Sequence, residues 1–143
     1  MIHRSIPLQI FTLLLLFFIQ FLTPATRSEA SKVNIVINEI MYHPPTEFEG
    51  EEYIELYNRG KTPVDVSGWK FTKGIVYTFP LSTIIEPNSY LVVCRVLDDF
   101  QATFGHKIPA LGNFLGVLRN SGERITLSDH TGDTIDSVKY ADR

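Results

Sequence analysis

Residues 33–69 read VNIVINEIMYHPPTEFEGEEYIELYNRGKTPVDVSGW, and the apolar positions of this stretch recur at every second residue. A period of two is that of a β-strand, whose successive side chains point to opposite faces. In the first run Val33, Ile35 and Ile37 share a face, and in the second Ile54 and Leu56 alternate with Tyr53, Glu55 and Tyr57. Each run therefore predicts a strand with one face turned to a core. The first strand, 33–42, ends at His43, Pro44 and Pro45, because proline has no amide hydrogen for a ladder and restricts the residue before it. The second, 52–58, closes on Asn58, Arg59, Gly60 and Lys61, which predicts a hairpin leading to Pro63.

Toward the N-terminus the character of the chain changes. A short polar start with His3 and Arg4 precedes an apolar run from Ile10 to Leu22, followed by small and polar residues. This is the pattern of a cleavable signal peptide. The run is shorter than the roughly 20 residues of a spanning helix, and Ser28 and Ala30 sit at the spacing that signal peptidase prefers. Cleavage is predicted after Ala30, leaving 31–143 as the mature domain, and no cysteine lies near the leader to accept a lipid. Removing Arg4, Arg27 and Glu29 from the 13 basic and 16 acidic residues leaves 11 basic and 15 acidic, a net charge of −4. The basic residues are scattered, which argues against a nucleic-acid partner. Glu47, Glu49, Glu51 and Glu52 form the one charge cluster and read as a solvated loop.

The mature length suits one small domain with a real core. Its single cysteine, Cys94, excludes an intrachain disulfide and lies inside YLVVC. It reads as a buried small hydrophobe rather than a nucleophile, which would want an exposed, electropositive setting. Packing alone must hold the domain.

Toward the C-terminus, 63–66 is a short strand, Ser67 and Gly68 turn, and a strand begins at Trp69 with Phe71 on the same face. Trp69 is the only tryptophan, and its area makes it the core anchor. GIVYTFP is a further strand stopped by Pro80, 81–85 continues it, and Glu86 to Ser89 form a turn with proline second. YLVVCR is nearly continuously apolar and predicts a central, buried strand. Acidic residues at its start, Phe100 and Phe104 four apart, and Gly105 as a stop predict one short helix over 98–104. Residues 107–116 look irregular. Residues 117–120 and 123–128 flank Asn120, Ser121 and Gly122, a second hairpin signal. In 134–140, Ile135 and Val138 share a face only if a bulge intervenes. About eight or nine short strands with Gly, Pro, Asn and Asp turns, and no βαβ rhythm, predict an all-β antiparallel sandwich.

The segments INEIMYHP, EEYIELYN, DVSGW, VYTFP and IEPNSYLVVCR, in that order and spacing, resemble the lamin tail domain in its bacterial, exported form, and GERITLSD is similar to that family's C-terminal half. The resemblance covers nearly all of the mature chain. It implies an immunoglobulin-like sandwich of Greek-key connectivity, with Asn38, Glu39, Glu55, Gly68 and Trp69 as its structural signature. It also implies a non-catalytic binding or scaffolding module of a secreted or cell-envelope protein, with a protein or cell-surface partner. The alternative it carries is an N-terminal accessory domain of a longer exported enzyme, of nuclease, phosphatase or spore-coat-kinase-like type. Cys94 stands where such domains more often have a small aliphatic residue. The chain ends at Ala141, Asp142 and Arg143 where relatives usually continue, so a C-terminally truncated domain is expected.

No catalytic residue, metal ligand or cofactor is assigned. Glu39 and Glu55 resemble a carboxylate pair, or calcium ligands with Asn38 and the Glu47 to Glu52 cluster. Carboxylate catalysis needs two groups held around a substrate, and calcium needs six to eight oxygens from a shaped loop; neither pattern is present. The two glutamates read instead as strand-end carboxylates bonded to a backbone amide or paired with Lys or Arg. His43, His106 and His130 are too dispersed for a zinc site, and Ser67 and Ser121 lack the G-x-S-x-G elbow of a serine hydrolase.

Overall fold

The computed structural model describes residues 34–141; the expected signal peptide, 1–30, and Val33 lie outside the described residues. Two four-stranded sheets face one another. The first joins β1 (Ile35–Met41), β2 (Tyr53–Asn58), β7 (Tyr90–Cys94) and β8 (Ala110–Leu111) in the order β1-β2-β7-β8. The second joins β4 (Lys70–Lys73), β5 (Tyr77–Thr78), β9 (Arg124–Ser128) and β10 (Thr134–Lys139) in the order β10-β9-β4-β5. A two-stranded ribbon of β3 (Val64–Asp65) and β6 (Ile84–Ile85) lies on the long connection that leaves β2, passes through the other sheet and returns at β7. This is the sandwich that the strand pattern predicts, in the immunoglobulin-like form that the family resemblance implies.

The core comes from the inward positions of both sheets. Ile35, Ile37, Ile54, Leu56, Leu91 and Val93 from the first pack with Phe71, Tyr77, Ile125 and Leu127 from the second. Trp69 is 4% exposed. It reaches the core because Val66 to Trp69 form a tight turn closed by the Trp69 amide on the Val66 carbonyl at 3.0 Å. Gly68 occupies that turn at φ 73°, a left-handed conformation that glycine adopts without steric cost. Within β7, Leu91 to Cys94 are buried, as expected, while Tyr90 is exposed, and the Glu86 to Ser89 turn closes with Asn88 at φ 56°.

Three strands are bulged, β1, β10 and β4, the last between Phe71 and Lys73. Asn38 is the extra residue of β1, where the register with β2 shifts between Ile37 and Glu39. In β10 the shift falls between Thr134 and Asp136, the bulge that lets Ile135 and Val138 both pack against the core. The Asp136 carboxylate then accepts the Ile37 amide at 2.8 Å, so the outer edge of β1 is tied to the opposite sheet.

Three expectations are corrected. The hairpin from Asn58 to Pro63 does not form, because β2 already has β1 on one edge and β7 on the other; β3 pairs with β6 instead. The chain bends around the Asn58 side chain, which is fully buried, donates to the Thr62 and Ile85 carbonyls at 2.9 Å each and accepts the Gly60 amide at 2.9 Å. The hairpin across Asn120 to Gly122 fails for the same reason: both edges of β9 are taken by β4 and β10, and its hairpin is with β10 across the Asp129 to Asp133 turn. Nor is the sandwich wholly antiparallel, since β8 runs parallel to β7. The helix α1 (Leu97–Phe104) makes that crossover possible. It stops at Gly105, as predicted, and its Phe100 covers Val92 and Cys94 on the outer face of the first sheet.

Asn58→Ala strands one amide and two carbonyls in the interior, and the expected loss is about 3 kcal/mol, measured as a fall in the urea midpoint at unchanged slope. Tyr77→Phe is expected to do the opposite. Its hydroxyl is buried with no hydrogen-bond partner among the described residues, so removing it should raise stability by about 1 kcal/mol.

Candidate functional site

The five signature residues fall into two groups. Gly68 and Trp69 build the turn and core contact described above. Asn38, Glu39 and Glu55 meet on the outer face of the first sheet, where Glu39 and Glu55 are direct cross-strand neighbours. Like charges so placed repel, and each is given a donor: the Asn38 amide to Glu55 at 2.8 Å and the Tyr53 hydroxyl to Glu39 at 2.7 Å. Among the described residues neither bonds a backbone amide or a cationic side chain, which corrects the expected partners. The bulge is what turns Asn38 toward Glu55. Burial, then Glu39, raises the Tyr53 phenol well above its ordinary value, so it stays a donor. Beside this group Tyr57 and Tyr90 stack with centroids 4.5 Å apart.

Cys94 is fully buried and bonds the Leu111 carbonyl at 3.1 Å. Burial pushes its thiol up to about 11, the inert setting expected of a small core hydrophobe.

One concave feature lies at an end of the sandwich, where the β1–β2 loop, the residue after β7 and the segment before β9 converge. A cleft of about 280 Å³ is lined by Tyr42, His43, Pro44, Glu47, Glu49, Glu52 and Asn120. The acidic cluster is thus not uniformly solvated, as the sequence suggested: Glu51 and Glu52 are 7% and 1% exposed. Glu51 accepts the Thr46 and Thr103 hydroxyls at 2.6 and 2.7 Å, pinning α1 to the β1–β2 loop, and these bonds lower its carboxyl below the ordinary value.

Glu52 forms the floor of the cleft. Its Oε2 accepts the Leu118 amide at 3.1 Å and lies 3.7 Å from the Arg95 guanidinium. Arg95 is held in turn by Glu49 at 2.6 Å. Burial raises the Glu52 carboxyl; the Leu118 amide and Arg95 oppose that rise, and Glu49 and Glu123 add to it. The Tyr42 wall is braced by stacking on Tyr140, centroids 4.7 Å apart. Among the described residues no three His, Cys, Asp or Glu side chains are arranged to hold a metal ion.

Sequence reasoning passed over this cleft, although one signal was available. Glu52 shares the parity of Ile54 and Leu56, so the same alternation that turns those residues inward turns it inward too. Arg95 and Asn120 carried no such signal, since they arrive from distant segments.

Residues 28–142 match the family model described as Lamin Tail Domain. No curated protein matches the chain.

Two measurements follow. Asn38→Ala removes the donor from between the paired glutamates, with an expected loss of about 0.5 kcal/mol that shrinks as salt is raised from low to molar concentration. For Glu52 the folded-state pKa lies above the unfolded one, so its contribution is fully present below the unfolded value and lost as pH rises through the folded value. Wild type should therefore lose stability relative to Glu52→Gln as pH rises through and above the ordinary glutamate range, as read by denaturant midpoints at each pH.

Proposed function

The chain belongs to the lamin tail domain family, and from that premise we propose that it is a non-catalytic binding or scaffolding module of a secreted or cell-envelope protein. The observation that carries the reading is the extent of the family match, which takes in the whole described sandwich. Nothing of the described fold is left over as a separate catalytic domain. The arrangement of the side chains supports it. Glu39 and Glu55, the carboxylates nearest to an acid–base pair, are occupied by Tyr53 and Asn38, and Cys94 is sealed in the interior. Sandwich ends, where loops converge on a rigid scaffold, are a common place for binding surfaces, and the acidic cleft lies at such an end. Export is supported by the leader composition of residues 1–30.

The native product tests this reading. An antibody raised against residues 31–143 is expected to detect, in the extracellular or envelope fraction of the source cells, a band near the mature length. A band confined to the cytosol would remove the export half of the proposal. A much larger exported band would replace the free-standing module with an accessory domain of a longer protein.

A further inference from the structure

We propose that the outer face of the second sheet is a peripheral docking surface for a bilayer rich in anionic lipid. The inference deepens the binding-module reading, for which it names the partner, and rests on it.

Lysines and arginines are scattered along the chain, but this sheet gathers them. Residues 34–141 hold nine, and four of these, Lys70, Lys73, Arg124 and Lys139, stand exposed on one face. That they share a face follows from register. Ile125 and Leu127 of β9 point into the core, so Arg124, Thr126 and Ser128 point out. Lys139 lies directly opposite Arg124, Lys73 opposite Thr126 and Lys70 opposite Ser128. Opposed residues have Cβ atoms about 5 Å apart and diagonal ones about 7–8 Å, so Lys139, Arg124 and Lys73 form a row across three strands. Like charges set so close repel, and among the described residues no carboxylate forms an ion pair with any of the four. Asp136 is turned in to the Ile37 amide, Glu123 is turned to the Arg119 amide, and Asp129 and Asp133 are held by Thr131 in the turn beyond β9. On a domain whose net charge over 31–143 is −4, this face is a basic patch left without internal compensation.

Two further features point to what covers it. Between the cations stand short hydroxyl side chains, with Thr72 on Ser128 at 3.2 Å and Thr126 on Ser137 at 3.0 Å, which make a flat surface instead of a pocket. At its edge Val76 and Leu115 are joined by backbone hydrogen bonds of 2.9 and 3.0 Å. Their chain neighbours Ile75, Tyr77 and Phe114 face the core, and the pair itself points outward, 66% and 68% exposed. A flat array of cations complements the extended charge of anionic headgroups, each cation near such a surface strengthening binding about fivefold. The adjacent aliphatic pair reaches the apolar boundary beneath those headgroups, which a soluble acidic polymer does not offer.

For the test, the protein is purified from the source cells in the form in which it accumulates, with the antibody against residues 31–143, and co-sedimented with vesicles. Binding is expected to vesicles of phosphatidylglycerol and phosphatidylcholine in equal amounts, half complete at about 1 mM lipid at low salt and about tenfold weaker in about 0.5 M sodium chloride. Lys73→Gln with Lys139→Gln should weaken it about 25-fold. Lys61→Gln with Lys107→Gln, the same change of net charge in loops outside this sheet, should weaken it less than about twofold. Leu115→Ser should weaken it about threefold. Lys70→Gln alone, expected to cost about fivefold, keeps the proposal testable if the double variant does not fold. Equal binding to pure phosphatidylcholine, or equal effects of the two double variants, would overturn the proposal. So would capture by soluble polyphosphate with unchanged vesicle affinity in Leu115→Ser. Absence of vesicle binding beside an exported band of mature length would sink the lipid surface and leave the module reading standing.

Discussion

The constraint on which this domain turns is that β2 and the residue before it point two polar side chains into the interior, one at each end. Glu52, Ile54, Leu56 and Asn58 share one face of the chain, and all four are essentially inaccessible to water. The two apolar ones need only packing. The two polar ones must find partners, because a buried polar group without a hydrogen bond costs several times what an ordinary hydrogen bond contributes. Asn58 draws in the Gly60 amide and the Thr62 and Ile85 carbonyls, which fixes how the chain leaves β2 and where β6 returns. Glu52 draws in the Leu118 amide and Arg95, which fixes the segment before β9 against the opposite end.

The same economy governs the edges. A sandwich with open edges risks pairing with other chains, and here the outer edge of β1 is met by Asp136 from the bulge of β10. On the far side β8 adds a parallel strand through α1, and the helix covers the outward residues of β7, so that Val92 and Cys94 are buried on a face that would otherwise meet water. The helix is secured less by its own ends than by neighbours: Asn113 accepts the Leu97 amide at 2.8 Å, and Glu51 holds Thr103. With no disulfide to close it, the domain relies on these cross-links between elements far apart in sequence.

The electrostatics divide the carboxylates by task. Glu39, Glu55 and Glu51 are each satisfied by a neighbouring side chain, and their role is structural. Glu52 accepts the Leu118 amide and faces Arg95, and burial holds its carboxyl above the ordinary range.

Local pattern determined the architecture. The period-two alternation of 35–37 and 53–58, the proline stops, the apolar run of β7 and the Gly105 helix stop are properties of neighbouring residues, and each is a feature of the described fold. The Asn38, Glu39 and Glu55 group was legible as residues but not as partners, because a one-residue bulge decides which side chain faces which. The pairing of the hairpins was decided by tertiary structure alone: a turn sequence states that the chain reverses, but not whether the strand it leaves has an edge free. The cleft belongs to the same class. Its floor was foreshadowed by the parity of Glu52, whereas Arg95, Leu118 and Asn120 reach it from segments that only the folded core brings together.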